Sequence, residues 1–303
     1  MVQSLRRYRG RFAPSPTGPL HFGSVAAALG SCLEARRQGG EWLLRMEDVD
    51  EPRCQPGAAL DILRTLEALG FTWDGPVLYQ SRRKARYQEA LETLKNAGLA
   101  YPCACSRKDL AGAATALDGG PLYPGTCRHG LAPGAVSRAW RFAVDDRSIA
   151  FTDAVQGHYE QHLARDVGDF VLLRADGYFA YQLAVVVDDA DQGITHIVRG
   201  ADLLDSTPRQ IALQQALGFP PADYMHLPVA VNAAGEKLSK QTLAPAADTG
   251  QPVATLLAAW KFLGQICPPE LGDASLEDFW RWALREWQSE NIPRRRTRMP
   301  AAA

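Results

Sequence analysis

The stretch that most constrains the fold is residues 11–31, where Pro14, Pro16 and Gly18 stand between two apolar segments. Residues 8–13 suit a short strand, and residues 25–37 have the small and apolar spacing of a buried helix. Proline can continue neither element, so a fixed loop must join them. Because the start of a helix offers free N–H groups and the positive end of its dipole, this loop predicts a phosphate site.

Two residues at the start of the helix strengthen that prediction. The His21 imidazole can donate to a phosphoryl oxygen, and Gly23 lets a flat ring or a phosphate approach the backbone. The chain has neither the P-loop nor the dinucleotide fingerprint, so a nucleotide would bind by another scheme. On geometry alone, an ordinary strand-to-helix connection of an α/β protein remains the alternative.

Composition limits the kind of protein. A length of 303 residues allows two domains, or one domain with an insertion. The formal net charge of −1 excludes a global basic field, so a nucleic-acid surface must be a local patch. Six cysteines without an apolar leader favour a reducing cytosol, and no apolar run could cross a bilayer. We expect a cytoplasmic protein that does not bind membranes.

Strand-like and helical segments alternate in the first hundred residues. A strand at residues 41–45 and helices at 57–69 and 82–96 predict a parallel sheet. Glu47 follows the strand at the edge where such sheets bind ligands, although a solvated loop is the alternative. The pattern stops for about seventy residues and then resumes, with a last short strand at 227–231, so we expect an insertion in the sheet.

The irregular segment contains Cys103, Cys105 and Cys127. Thiolates at this spacing suit a tetrahedral zinc site that holds together a segment with little core of its own. Unliganded cysteines are the alternative. On ligand chemistry alone His129 would be the fourth ligand, since imidazole is far commoner on zinc, and Tyr123 is the other candidate.

The last third of the chain holds two basic features. Lys237, Ser239 and Lys240 lie on a predicted loop and could reach a polyphosphate, although by themselves they are typical of a solvated loop. Residues 251–289 have helical spacing, and their tryptophans indicate packing. Residues 294–298 contain four arginines, and we expect a disordered tail that could contact phosphate.

Four motifs occur in a fixed order. They are A-P-S-P-T-G-P-L-H-F-G from Ala13, V-D-D from Val187, H-I-V-R-G-A-D-L-L-D-S-T-P-R-Q from His196 and K-L-S-K from Lys237. Over about 240 residues the chain resembles the catalytic half of class I glutamyl-tRNA synthetases. The family's second signature histidine is Ser24 here, and the final serine of its lysine motif is Gln241.

The resemblance implies an α/β fold with a Rossmann-like parallel sheet, interrupted by a zinc-containing insertion and followed by a helical segment. About sixty residues follow the lysine motif, too few for an anticodon-binding domain of ordinary size. We expect residues 1–98 and 168–245 to form the two halves of the nucleotide-binding domain. Residues 99–167 would form the insertion, and residues 246–303 the C-terminal helical segment with its basic tail.

The chain most resembles a short branch of the family that activates L-glutamate with ATP without needing tRNA. That branch transfers glutamate to the cyclopentenediol of queuosine, at the wobble position of tRNA(Asp). One alternative is a truncated enzyme that charges the 3′ end of tRNA(Glu). The other is a non-catalytic module that binds tRNA or nucleotide.

The resemblance also assigns residues; separately, we expect a monomer. The catalytic residues would be His21 and Lys240, and ATP would bind with Mg²⁺ at His21, Gly23, Lys237, Ser239 and Lys240. Glutamate would contact Arg11, Phe12, Ala13, Pro14, Ser15, Glu47, Tyr181 and Arg199. Zn²⁺ would be held by Cys103, Cys105, Tyr123 and Cys127, which replaces the choice of His129.

Overall fold

A computed structural model of the chain describes residues 7–117, 119–238 and 245–300. Its first part alternates strands and helices as the sequence pattern predicts. The elements are β1 (Arg9–Phe12), α1 (Phe22–Arg37), β2 (Glu41–Met46), α2 (Ala58–Ala68), β3 (Leu78–Tyr79) and α3 (Lys84–Asn96). β2 pairs in parallel with β1 on one side and with β3 on the other.

The later part of the chain completes this sheet. Its elements are α5 (Tyr181–Asp191), β9 (His196–Gly200), α6 (Thr207–Ala216), β10 (Asp223–Leu227) and β11 (Val229–Ala230). β9 pairs in parallel with β10. β9 also lies alongside β1, because the backbone amide of Thr195 donates to the Arg9 carbonyl at 2.9 Å. The parallel strands and the helices between them therefore form the α/β arrangement with a parallel sheet that the sequence pattern predicts.

The strand predicted at residues 227–231 is wrong in its bounds. β10 ends at Leu227, and only the two residues of β11 follow. Pro228 lies between them, and proline has no N–H with which to continue a ladder. The sequence pattern missed β10 because it begins with the polar Asp223 and contains His226.

The region between the two parts contains two pieces of sheet. β4 (Ala100–Cys103), β5 (Ala139–Phe142) and β8 (Phe170–Leu173) form a small antiparallel sheet. β6 (Ser148–Asp153) and β7 (Gly157–His162) form a hairpin, which is followed by the short helix α4 (Leu163–Asp166). β6 joins β10 in parallel, with Asp153 opposite Tyr224. Part of the 99–167 stretch thus extends the main sheet.

The C-terminal elements cover one face of the sheet. α7 (Pro252–Phe262) and α8 (Leu276–Glu286) pack with α1 in the larger apolar core. Trp260 and Trp287 are fully buried there, which agrees with the packing role predicted for these tryptophans. In the part of the chain that the structure describes, none of the helices has the length and apolar character needed to cross a bilayer.

The arginine-rich tail is ordered, so the predicted disorder is wrong. β12 (Thr297–Arg298) pairs in parallel with β11. The guanidinium of Arg298 donates to the Phe262 carbonyl at 2.5 Å, at the end of α7 where carbonyls lack helical partners. Arg296 forms an ion pair with Asp205 at 3.1 Å. The composition of the segment is typical of a solvated tail, and it gives no sign of acceptors as distant in the chain as Asp205 and the Phe262 carbonyl.

Candidate active site

A cleft of about 690 Å³ opens at the carboxyl ends of β1, β2, β9 and β10. Residues that end or follow these strands line it, because the carboxyl ends of parallel strands meet at one edge of a sheet. The cleft brings together every glutamate-site and ATP-site residue named from the sequence that the structure describes. They are Arg11, Phe12, Ala13, Pro14, Ser15, His21, Gly23, Glu47, Tyr181, Arg199 and Lys237.

One end of the cleft is the N-terminus of α1. His21 is the N-cap residue, and its side chain does not cap the helix. A Cβ on Gly23 would lie 3.2 Å from Cε1 of His21, so the missing side chain lets the imidazole lie against the first turn. The helix has no acidic residue in its first turn. Its N–H groups and dipole therefore give this end the positive potential that phosphates prefer.

Two residues that line the cleft, Arg11 and Glu47, belong to a buried cluster of two arginines and two carboxylates. Arg11 donates to both oxygens of Asp189, with Nε to Oδ1 at 3.0 Å and Nη2 to Oδ2 at 3.2 Å. Arg45, which is fully buried, contacts Asp189 Oδ1 at 2.8 Å and Glu47 Oε1 at 3.3 Å. The four formal charges cancel, which makes burial of this cluster tolerable.

The two carboxylates of the cluster are held differently. Burial alone would raise the pKa of Asp189, but Arg11 and Arg45 outweigh it and lower that pKa. Burial raises the pKa of Glu47, and Arg45 and Arg11 oppose this only in part. Asp189 therefore stays ionised as a structural anion. Glu47, with a single long contact to Arg45, is the carboxylate available to a cationic ligand.

Arg199 is positioned by a hydrogen-bonded chain beneath the cleft. Its Nε donates to His226 Nε2 at 3.0 Å, and its Nη2 donates to Thr207 Oγ1 at 2.8 Å. Because arginine is always a donor, His226 must carry its proton on Nδ1, which donates to Asp153 Oδ2 at 2.6 Å. Burial lowers the pKa of His226 to about 4, against the opposing hydrogen bond to Asp153.

The remaining nitrogen of Arg199 has no such partner. Nη1 is buried and makes no hydrogen bond to any residue that the structure describes. Arg199 lines the cleft, and a buried donor without an acceptor is costly. Tyr181, at the first residue of α5, lines the same wall, and burial raises its pKa, so its hydroxyl is neutral. This wall therefore offers donors for a ligand oxygen.

The lysine segment is described only in part. Lys237 donates to Asp202 Oδ2 at 2.5 Å at the edge of the cleft. Ser239 and Lys240 lie outside the described residues. The residues on either side are anchored beside the cleft, since the Leu238 amide donates to the Ala230 carbonyl and the Ala247 amide to the Leu20 carbonyl, both at 2.8 Å.

The three predicted cysteines lie together in the small sheet region. The Sγ atoms of Cys103, Cys105 and Cys127 are all within 4.8 Å of one another. Cys105 and Cys127 are 3.7 Å apart, and sulfurs 2.3 Å from a tetrahedral zinc ion would be about 3.8 Å apart. The three thiols therefore fit a metal ion such as zinc.

The structure places Tyr123 rather than His129 beside this cluster. The Tyr123 hydroxyl is 3.4 Å from Cys103 Sγ and 3.5 Å from Cys105 Sγ, whereas His129 is exposed. Arg141 donates to Cys103 Sγ at 3.3 Å, and its guanidinium lies 3.9 Å from the centre of the Tyr123 ring. This cation offsets the negative charge that several anionic ligands would bring.

The sequence analysis missed the residues that support the cleft. Asp189 belongs to the V-D-D motif, but nothing in that motif indicates a bond to Arg11. Arg45 reads as an ordinary strand residue, although it is fully buried. Asp153 and His226 come from distant strands and have no signal in the sequence that would pair them.

Comparison with known proteins decides the family. A family model described as the catalytic domain of tRNA synthetases class I (E and Q) matches residues 7–254. The chain belongs to that family. A solved structure of glutamate-tRNA synthetase from Elizabethkingia anophelis has the same fold, with a TM-score of 0.79 and 25% identity. That comparison covers 98% of this chain and 68% of the other.

Curated members of the family are similar over nearly the whole chain. A protein from Dechloromonas aromatica (strain RCB) is 64% identical over 289 residues, which cover 95% of this chain and 96% of the relative. One from Aromatoleum aromaticum is 59% identical over 287 residues, covering 95% and 91% respectively. Both relatives are named glutamyl-Q tRNA(Asp) synthetase. The sequence-based assignment to glutamyl-tRNA synthetases is thus confirmed, and so is the resemblance to the short branch.

Proposed function

We propose that this protein activates L-glutamate with ATP in the absence of tRNA and transfers the glutamyl group to queuosine at the wobble position of tRNA(Asp). The observation that carries the proposal is the cleft, which brings the N-terminus of α1 together with Arg11, Arg199 and the carboxylate of Glu47. The names of relatives that match nearly the whole chain indicate that the acceptor is queuosine in tRNA(Asp).

The first step needs no nucleophile from the protein. The α-carboxylate of glutamate attacks the α-phosphorus of ATP, which gives glutamyl-adenylate and pyrophosphate. A hydroxyl of the queuosine cyclopentenediol then attacks the activated carbonyl, and AMP leaves. The work of the chain is to position these groups and to stabilise the phosphoryl charge. Magnesium bound with ATP would supply further positive charge on the phosphates.

We assign the residues of the cleft as follows. Glu47 receives the α-ammonium group of glutamate, because it is the carboxylate with a raised pKa and only one long contact. Arg11 and Arg199 bind carboxylate oxygens through their guanidinium groups. Nη1 of Arg199 is buried and makes no hydrogen bond within the described part of the chain. Tyr181 donates its hydroxyl, and residues 12–15 shape the rest of the pocket around the substrate.

The nucleotide occupies the end of the cleft at α1. His21, above the first turn, donates to a phosphoryl oxygen, and Gly23 leaves room for the adenylate. Lys240 approaches the triphosphate from the lysine segment, whose described flanks are both anchored beside the cleft, together with Ser239 and Lys237. We expect Lys240→Ala to slow glutamate-dependent pyrophosphate exchange by about a hundredfold.

We also propose a structural Zn²⁺ on Cys103, Cys105, Cys127 and Tyr123, which the sulfur spacing and the position of the Tyr123 hydroxyl support. The division at residues 98, 167 and 245 remains a proposal, as do a monomeric state and a cytoplasmic location. Zinc content after purification without added metal tests the zinc site. The elution volume in size-exclusion chromatography tests the monomeric state.

The decisive experiment uses labelled glutamate and tRNA(Asp) that contains or lacks queuosine. We expect label only on the queuosine-containing RNA, and we expect nuclease digestion to recover it on an internal nucleoside. Label on the terminal adenosine of tRNA(Glu) would instead show a truncated 3′-charging enzyme. Pyrophosphate exchange that requires tRNA would contradict activation in its absence.

A further inference from the structure

The arginine segment, residues 294–298, lies beside β11, a strand that lines the cleft. Its last two residues form β12, which pairs with Val229 and Ala230 of β11. Both of those residues line the cleft. The backbone of the segment is also held from the other side, because Gln156 Nε2 donates to the Arg295 carbonyl at 3.2 Å and to the His226 carbonyl at 2.8 Å. The segment therefore has a fixed place beside the site.

Two of its four arginines have structural partners. Arg296 forms the ion pair with Asp205, and its guanidinium lies 5.6 Å from the centre of the Tyr159 ring. Arg298 donates to carbonyl oxygens at the end of α7, including that of Lys261 at 3.3 Å. These contacts explain the ordered backbone. They account for Arg296 and Arg298, but for neither of the arginines that precede them.

Arg294 and Arg295 are exposed, and neither forms an ion pair with a residue that the structure describes. Most other exposed arginines have a nearby carboxylate: Arg281 pairs with Glu277, and Arg285 with Glu286. In a chain whose net charge is −1, two adjacent guanidinium groups without a described ion-pair partner, in a segment that runs beside β11, are a local positive surface.

The chemistry of this surface suits a polyanion. An exposed guanidinium outside a pocket gains little from one small anion, because water and salt screen the contact. It gains more from an RNA backbone, since each neutralised phosphate also releases condensed counterions. A nucleoside that enters the cleft as part of an RNA must bring its flanking phosphates to the rim.

We infer that Arg294 and Arg295 bind phosphates of the acceptor RNA next to the nucleoside that receives glutamate. This inference rests on the proposed function for the identity of the acceptor. It assigns a docking element to a chain whose overall charge predicts none. The contacts carry no base information, so they position the RNA, and selection of the nucleoside takes place within the cleft.

The test compares two double variants that remove the same charge. Arg294→Gln with Arg295→Gln removes the surface, and Arg281→Gln with Arg285→Gln is the matched control on α8. For each protein we would measure binding of queuosine-containing tRNA(Asp) by fluorescence anisotropy between 50 and 200 mM salt. Transfer of labelled glutamate to the same RNA and RNA-independent pyrophosphate exchange would be measured in parallel.

We expect the Arg294/Arg295 variant to bind the RNA roughly tenfold more weakly at low salt, with exchange at the wild-type rate. Its plot of log affinity against log salt should be shallower by about 1.4, the value for two single-strand phosphates. The control should match the wild type. A double lysine replacement at 294 and 295 should restore binding, because it keeps both point charges.

Unchanged affinity and salt slope in the Arg294/Arg295 variant would overturn the inference, as would an equal loss in the control. Binding does not depend on the transfer chemistry, so the two proposals can fail separately. If the wild type binds the RNA through these arginines but transfers no glutamate, the inference stands and the proposed function fails. If the wild type transfers glutamate and the Arg294/Arg295 variant does so equally well at subsaturating RNA, the proposed function stands and the inference fails.

Discussion

Replacement of His226 by asparagine tests how Arg199 is held. The side-chain nitrogen of asparagine can replace Nδ1 of histidine and keep the contact with Asp153, but no acceptor remains where Nε2 accepted from Arg199 at 3.0 Å. A buried charged donor that loses its acceptor costs roughly 1–3 kcal/mol. If about 2 kcal/mol of that appears as weaker binding, the KM for glutamate rises about thirtyfold.

The assay is glutamate-dependent ATP–pyrophosphate exchange, with KM measured separately for glutamate and for ATP. We expect the KM for glutamate to rise and the KM for ATP to stay constant, since Arg199 is assigned to the amino acid. His226→Gln, whose amide oxygen can reach the position of Nε2, should restore part of the affinity. His196→Asn is the matched control, because His196 stacks on Tyr8 and does not line the cleft.

Two results would refute this reasoning. An unchanged KM for glutamate in His226→Asn would mean that Arg199 needs no support from the imidazole. An equal rise in both KM values would mean that the substitution disturbs the whole cleft. The thermal unfolding midpoint of each variant separates loss of fold from loss of positioning.

Three further predictions concern Glu47, the cysteine cluster and the pH dependence of stability. Glu47→Gln should raise the KM for glutamate at least tenfold. In the wild type, the KM for glutamate should rise as pH falls through the raised pKa of Glu47, because the neutral acid cannot hold an ammonium; a KM that stays constant down to pH 4.5, the ordinary pKa of a glutamate, would contradict this. Cys105→Ser should lower both the zinc content and the thermal unfolding midpoint, while pyrophosphate exchange continues. Full zinc occupancy in this variant would argue against Cys105 as a zinc ligand. Because folding lowers the pKa of His226 to about 4, the native state binds fewer protons than the unfolded chain below pH 6.5. The free energy of unfolding of the wild type should therefore fall by up to about 3 kcal/mol between pH 6.5 and pH 4. His226→Asn should lose that pH dependence.

The sequence predicts the cleft better than it predicts what supports the cleft. His21, Gly23 and residues 11–15 lie in one continuous motif, and a strand, a loop and a helix bring them together locally. Glu47 could be placed because it follows a strand, and the ends of parallel strands share an edge. Local pattern and sheet geometry are enough for such residues.

Supporting residues depend on contacts that no local pattern reports. Asp153 bonds to His226 across 73 positions, and β10, which carries His226, reads as too polar for a strand. Residues 294–298 read as a disordered tail because their composition is that of a solvated segment, whereas β11 and Asp205 provide partners far away in the chain. Information of this kind exists only in the folded arrangement.

The bond between Arg11 and Asp189 sets a limit on when the protein can become active during its synthesis. The two residues are 178 positions apart, so Arg11 leaves the ribosome long before the carboxylate that neutralises it. Until α5 has been made and packed, β1 carries a cation that cannot be buried at low cost, and the proposed glutamate site lacks Tyr181 and the carboxylate that holds Arg11. Nascent fragments that contain only β1, the loop and α1 should therefore be unable to form glutamyl-adenylate.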